Sequence, residues 1–221
     1  KVNATAGFSI ISYTGTGSDG TLGHGLGVAP SIYIVKRRNS SKDWYVQIGN
    51  LAGIDLGRFV KLNTADGLAY GGGTVFAPSA DTSTVLNTKG DTASNGSGDT
   101  YINYCFSEVA GYSKFGSYTG NQNADGTFVF LGFRPAWVIV KGTWGGNWNL
   151  FDSKRPGINV TNDRLFPNLN DAETDGSPTD NQMDLLSNGF KLRGSNIDTN
   201  HSAGFIYLAF AESPFKNSRA R

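Results

Sequence analysis

Apolar and polar residues along this chain alternate with the period of β-strands. Short runs of β-branched and aromatic residues are separated by clusters of Gly, Asn, Asp and Ser, which is the strand-and-turn signature. The pattern predicts strands over 7–13, 31–37, 43–48, 58–62, 83–87 and 100–107, and again over 112–118, 127–131, 136–142, 147–152, 188–193 and 204–211. Asp19-Gly20, Asp125-Gly126 and Asn188-Gly189 fit hairpin turns, where glycine supplies the positive φ. Successive side chains of a strand face opposite ways. The strand over 100–107 therefore shows Ile102, Tyr104 and Phe106 on one face and Tyr101, Asn103 and Cys105 on the other, and 204–211 shows Ile206, Leu208 and Phe210 against Phe205, Tyr207 and Ala209. The uniformly apolar face, with Phe106 and Phe210, is the expected core, and the mixed face is the expected, partly covered outside.

The strand pattern repeats. Ser12-Tyr13-Thr14-Gly15 returns as Ser117-Tyr118-Thr119-Gly120, Asp19-Gly20-Thr21 as Asp125-Gly126-Thr127, Ile34-Val35-Lys36 as Ile139-Val140-Lys141, and Trp44 as Trp148. The offset stays between 104 and 106 up to the last strands, where Glu108 answers to Glu212. A period this long means duplicated domains rather than a solenoid. The expected architecture is all-β, with two tandem homologous sandwich-like modules over 1–113 and 114–221. Residues that both copies keep are read as structural, and residues peculiar to one copy as places for function. The recurrence of Lys36 with Glu108, and of Lys141 with Glu212, predicts a Lys–Glu pair in each copy. Trp44 and Trp148 are read as packing residues.

Composition narrows the function. Among 221 residues, 19 basic and 18 acidic side chains nearly cancel, and no basic run exceeds Lys36-Arg37-Arg38, so no nucleic-acid footprint is indicated. Apolar runs fall far short of the roughly 20 residues that span a bilayer, so no membrane insertion is expected. The single cysteine, Cys105, excludes an intrachain disulfide and a cysteine zinc site.

Few motifs suggest chemistry. Gly15-Thr16-Gly17-Ser18-Asp19-Gly20 matches a dinucleotide fingerprint in letters, but the glycine-rich text after it cannot start the required helix, so no cofactor is expected. The two histidines, His24 and His201, have no counterparts in the other copy, and no catalytic constellation surrounds either in sequence. Asp171, Glu173 and Asp175 begin like a calcium loop, yet the twelfth position is Gln182; they are weak metal candidates, read first as a solvated acidic loop. Trp144 stands at a hairpin tip, Thr143-Trp144-Gly145-Gly146-Asn147, with no aromatic match in the first copy. Together with Asn147, and with Tyr70 beside Gly71-Gly72-Gly73, it is the candidate sugar contact. Sequons occur at Asn3, Asn39, Asn95, Asn159 and Asn200.

Long phrases carry a resemblance. "GFSIISYTGTGSDGTLGHGLGVAPSIYIVKRR", "YINYCFSEVAGYSKFGSYTGN", the stretch Leu185–Arg193 and "FIYLAFAESPF" resemble a domain of large structural proteins of marine tailed phages, cyanophages included. The resemblance covers nearly the whole chain. It implies a non-enzymatic virion structural module of a tail fibre or surface appendage, placed on the virion surface or outside the cell. It also implies a C-terminal segment of a longer protein, which assembles with copies of itself or other virion proteins and touches host-surface glycans. The alternative is a secreted carbohydrate-binding or adhesin module, and a glycan depolymerase ranks third.

Overall fold

The computed structural model describes residues 1–70, 74–155, 159–175 and 183–212. Regular structure is almost entirely antiparallel β, so the protein is all-β. The chain divides into two compact units, Lys1–Glu108 and a second that begins at Val109. Between them Val109 and Ser113 close a turn, with Ser113 N–H donating to the Val109 carbonyl at 2.9 Å and Val109 N–H to Ser113 Oγ at 3.0 Å.

The first unit contains β1 (Val2–Asn3), β2 (Phe8–Thr14), β3 (Gly20–Gly23), β4 (Ile32–Arg37), β5 (Trp44–Gln47), β6 (Arg58–Lys61), β7 (Ala69–Tyr70), β8 (Val85–Thr88) and β9 (Thr100–Phe106). Its main sheet runs β1-β2-β9-β4-β5-β6-β7, and β3 pairs with β8 in a smaller one. The second unit contains β10 (Ser113–Thr119), β11 (Phe128–Phe130), β12 (Pro135–Gly142), β13 (Asn149–Asp152), β14 (Asp163–Arg164), β15 (Thr174–Asp175), β16 (Met183–Leu186), β17 (Gly189–Leu192), the one-turn helix α1 (Ile197–Asn200) and β18 (Gly204–Ala211). Its main sheet runs β10-β18-β12-β13, a Leu150–Leu165 bridge leads on to β14 and β15, and the smaller sheet runs β11-β17-β16. The order of equivalent strands is the same in both units. Registers also match: Ile34 opposes Tyr104 as Ile139 opposes Leu208.

All twelve predicted strands form, most within two residues of their expected ends. Asn188-Gly189 does close a hairpin, with Leu186 opposite Gly189. Asp19-Gly20 and Asp125-Gly126 do not. There β2 and β10 stay in the main sheets while β3 and β11 pair in the smaller ones, so these dipeptides mark crossings between layers.

The predicted core face is reversed in the first unit; in the second both faces of β18 are buried, Ile206 and Leu208 of the predicted face included, and only Phe210 of that face is half-buried. In β9 the fully buried residues are Tyr101, Asn103 and Cys105, whereas Ile102, Tyr104 and Phe106 are half-buried. Tyr101 and Cys105 share a cluster with Tyr33, Val35 and Leu86 of the smaller sheet, as Phe205, Tyr207 and Ala209 do with Phe190 in the second unit. Apolarity misled because the outer face is also packed: Phe106 meets Phe8 at 4.9 Å, and Phe210 lies among Tyr112, Phe115 and Trp137. Inside, Asn103 Oδ1 accepts from Cys105 Sγ at 3.5 Å, and the side chain borders a small cavity shared with Tyr13 and Asn87. Burial pushes the Cys105 thiol up to about 12.

The predicted Lys–Glu pairs do not form. Lys36 sits opposite Ile102 and Lys141 opposite Ile206. Glu108 and Glu212 lie six residues further along those neighbouring strands, about 20 Å away. Glu212 pairs instead with Lys154 at 2.7 Å.

Candidate binding site

Both units use the same side chains to lock their loops. Tyr13 stacks on Tyr101 at 5.2 Å and its hydroxyl donates to the Ser94 carbonyl; Tyr118 stacks on Phe205 at 5.0 Å and donates to Thr199 O at 2.6 Å. Burial raises both phenols well above the usual tyrosine range. Gly15 and Gly120 are required at the crossing, since a Cβ on either would stand 2.1 Å from the carbonyl oxygen of Gly96 or His201. Beside them sits a buried asparagine. Asn95 Nδ2 donates to Ser18 O at 2.8 Å and Thr16 Oγ1 at 3.1 Å, and its Oδ1 accepts from Thr16 N–H at 3.0 Å. Asn200 repeats this on Asn123 O (2.9 Å), Asn121 Oδ1 (3.0 Å) and Asn121 N–H (3.0 Å), and adds Gly194 O at 2.9 Å. The repeated Ser-Tyr-Thr-Gly thus clamps the loop after the first long strand onto the segment before the last. The sequons at Asn95 and Asn200 are closed, because their amides are buried in this lock.

A second lock recurs one hairpin away. Trp44 N–H donates to Asn63 Oδ1 at 2.8 Å, and Asn63 reaches Asp43 at 2.9 Å; Trp148 N–H donates to Asn168 Oδ1 at 2.9 Å, and Asn168 reaches Asn147 at 2.8 Å. Lys36 and Lys141 each place the ammonium 5.9 Å from the ring centre of the facing tryptophan. Each also donates to a loop carbonyl, Lys36 to Lys42 O at 2.7 Å and Lys141 to Gly146 O. Trp148 is buried in this arrangement, while Trp44 is half-buried and stacks on Tyr104 at 6.5 Å. Asn147, expected to meet a ligand, is therefore a brace, as Asp43 is in the first unit.

The two units differ at several buried positions, and three of them form one connected group in the second unit. In the first, Tyr45 and Phe59 pack at 5.6 Å and Ala93 is buried nearby in sequence to the lock. The equivalent residues of the second unit are Asn149, Arg164 and Asp198. The alignment rests on bonds as well as letters: Ala93 N–H donates to Asp91 Oδ1 at 2.7 Å, and Asp198 N–H to Asn196 Oδ1 at 2.7 Å. Arg164 Nη1 donates to Asn149 Oδ1 at 2.8 Å and lies 3.3 Å from Asp198 Oδ2. Its guanidinium covers Phe166 at 4.7 Å. Burial pulls the Arg164 pKa below the usual guanidinium value, opposed by Asp198. Asn149 Nδ2 binds Asn147 O at 3.0 Å and Asp198 O at 3.3 Å.

Trp144 lies beside this polar group. Its indole rests on glycines: a Cβ on Gly142 would stand 2.8 Å from Nε1, and one on Gly146 (φ +84°) 3.3 Å from Cη2. The His201 ring is 5.6 Å away. The side chain is folded back yet still 44% exposed, which makes it a fixed platform. Tyr70 is exposed at the end of edge strand β7 of the first unit, with the Arg58 guanidinium 5.0 Å from its ring; it shares no unit with Trp144. His24 is buried and braces a loop, with Nε2 3.1 Å from Thr82 O and Nδ1 accepting from Leu26 N–H at 3.2 Å.

In the acidic loop the side chains of Asp171 and Glu173 are described, and that of Asp175 lies outside the described residues. Glu173 binds Arg155 at 3.1 Å, Asp171 is exposed, and residues 174–175 pair as β15 with β14. Gly176 and Gln182 lie outside the described residues. Among the described residues no three His, Cys, Asp or Glu side chains converge as metal ligands.

No curated protein and no solved structure matches the chain. The domain of unknown function DUF7483 matches residues 1–214, across both units, so the chain belongs to the DUF7483 family.

Proposed function

We propose that this chain is a non-enzymatic structural module of a virion surface appendage, of tail-fibre type, whose second unit touches a host-surface glycan through Trp144. The appendage setting rests on the resemblance of its long sequence phrases to tailed-phage structural proteins. The scaffold role is supported by the two duplicated locks, which tie loops to strands by buried hydrogen bonds. The contact rests on one observation: an exposed indole is held on Gly142 and Gly146 above a polar group that the first unit lacks. Flat, immobilised aromatic rings bind sugars with little loss of side-chain freedom.

A glycan array probed with the chain and with Trp144→Ala, followed by mass analysis of the bound sugars, tests the reading. Binding that depends on Trp144 and leaves the glycans uncut is the expected result. Cleaved glycans, or binding unchanged in Trp144→Ala, would overturn it.

A further inference from the structure

Independently of the glycan contact, we infer that the edge of β11 is a self-association surface, on which a second copy of this chain pairs its own β11 antiparallel about Val129. β11 is the outer strand of the sheet β11-β17-β16, and among the described residues no strand covers its other side. Val129 opposes Phe190 and packs inward, 7% exposed, which turns Phe128 and Phe130 to the outer face, 43% and 58% exposed. The same register fixes the backbone. Leu192 N–H donates to Thr127 O at 3.1 Å and Leu131 N–H to Asn188 O at 2.9 Å, so residues 127, 129 and 131 direct their peptide groups toward β17 and its turn. The alternation of an antiparallel ladder then turns the N–H and C=O of Phe128 and Phe130 to the open edge. Phe130 O accepts one bond there, from Lys114 Nζ at 3.0 Å, and a carbonyl has a second lone pair.

This edge is self-complementary. In an antiparallel pair centred on Val129, Phe128 of each copy stands opposite Phe130 of the other, and each such pair exchanges both N–H···O bonds. The four phenyl rings meet on one face as cross-strand aromatic pairs. Charge agrees with the two-fold. Asp125, just before β11, is bound by Lys191 at 2.6 Å yet 81% exposed, and Lys114 lies over Phe130 at the strand's other end, 5.4 Å from the ring. Antiparallel pairing brings the acidic end of each copy toward the basic end of the other, whereas a partner of one charge sign would meet like charge at one end. The first unit is the internal control. Leu22 opposes Leu86 as Val129 opposes Phe190, so Thr21 and Gly23 stand where Phe128 and Phe130 do, and the fold closes without the rings. The exposed parts of the two rings amount to roughly one whole phenylalanine, about 200 Å² per copy. That is well under the area of a stable complex, so the pairing is weak, with Kd about 1 mM.

Disulfide trapping tests the register. Phe128→Cys and Phe130→Cys are made separately in the whole chain, whose own Cys105 is buried, and are oxidised alone and mixed. Residues opposite one another in a hydrogen-bonded pair have Cα atoms about 5.5 Å apart, within disulfide reach, while two copies of the same position lie two residues out of register and beyond it. The mixture should therefore give at least about fivefold more cross-linked dimer than either variant alone. Sedimentation velocity from about 10 μM to about 1 mM chain should show the wild type associating as concentration rises. The double variant Phe128→Thr, Phe130→Thr changes only exposed side chains; it should keep the wild-type melting temperature and lose that association. Equal cross-linking in the mixture and the single variants, a wild type that stays monomeric at the highest concentration, or a double variant that associates as well would each overturn the inference. None of these outcomes bears on the glycan array with Trp144→Ala.

Discussion

Removing the Asn200 side chain should destabilise the second unit more than removing Asn95 destabilises the first. Both residues are buried and both close the same loop, but their partners differ. Asn200→Ala strips four hydrogen bonds and leaves the buried Gly194 carbonyl without its donor; Asn121 and Asn123 are exposed enough for water to replace part of the loss. An orphaned buried acceptor costs roughly 1–3 kcal/mol and each remaining bond about 0.5–1.5 kcal/mol net. With partial rehydration the sum is about 3 kcal/mol. Asn95→Ala leaves Ser18 O, Thr16 Oγ1, Thr16 N–H and Thr88 Oγ1. Two of those partners are hydroxyl oxygens that accept from the amide, and Thr16 and Ser18 face solvent, where water replaces the lost donor, so about 1.5 kcal/mol is expected.

Urea unfolding followed by fluorescence separates the two, because three tryptophans (Trp137, Trp144, Trp148) report on the second unit and Trp44 on the first. The midpoint of the second unit's transition should fall in Asn200→Ala with its slope unchanged, which marks lost stability rather than altered compactness. An Asn200→Ala loss below 1 kcal/mol, or one no larger than that of Asn95→Ala, would refute the claim that these amides hold the locks.

Two further outcomes follow from burial. Cys105 should resist a thiol reagent such as dithionitrobenzoate at pH 8, since its thiol is fully buried and pushed up to about 12; modification should appear only with denaturant, and rapid labelling of the native chain would contradict its place inside the first unit. Asp81 is held above the ordinary 3.8 by burial, despite bonds from Asn87 N–H and Asn50 Nδ2. The folded state therefore binds its proton more tightly than the unfolded chain, and the stability from this group is fully present below the ordinary carboxylate pKa and lost as pH rises through the raised one. Melting temperatures of the wild type and Asp81→Asn, compared from pH 3 to 7, should show the variant gaining on the wild type as pH rises; a constant difference would refute the shift.

Much of the framework was legible because strands and repeats are local or periodic signals. Alternation placed the long strands, and a fixed offset paired Tyr13 with Tyr118 and Lys36 with Lys141. What failed depended on register. The Lys–Glu pairing used residues that recur together, but recurrence says only that two positions matter. The hydrogen-bond ladder puts Lys36 opposite Ile102, at the far end of β9 from Glu108. The inside of β9 was misread because the uniformly apolar face is packed by aromatic neighbours outside the core, while the buried face carries Asn103. Short strands such as β7 and β14 carry too few residues for a period to show.

The polar trio of the second unit was missed for a different reason, although its signal was present. Residues peculiar to one copy are where function is read, and Asn149, Arg164 and Asp198 are such mismatches, but each is set among neighbours that match: Trp44 with Trp148, Asn63 with Asn168, Asn95 with Asn200. Each change looks minor alone. Together they exchange an aromatic pair and a methyl group for an ion pair and an amide at equivalent positions. A joint change lets Arg164 Nη1 meet both Asn149 and Asp198, although the buried Nε of the same guanidinium stays without a partner. Two units with one strand order thus separate the positions that both fill alike from those that one fills differently. By that measure Asn147, despite standing beside the exposed indole, is a brace like Asp43, and Asn149, Arg164 and Asp198 are what the second unit adds.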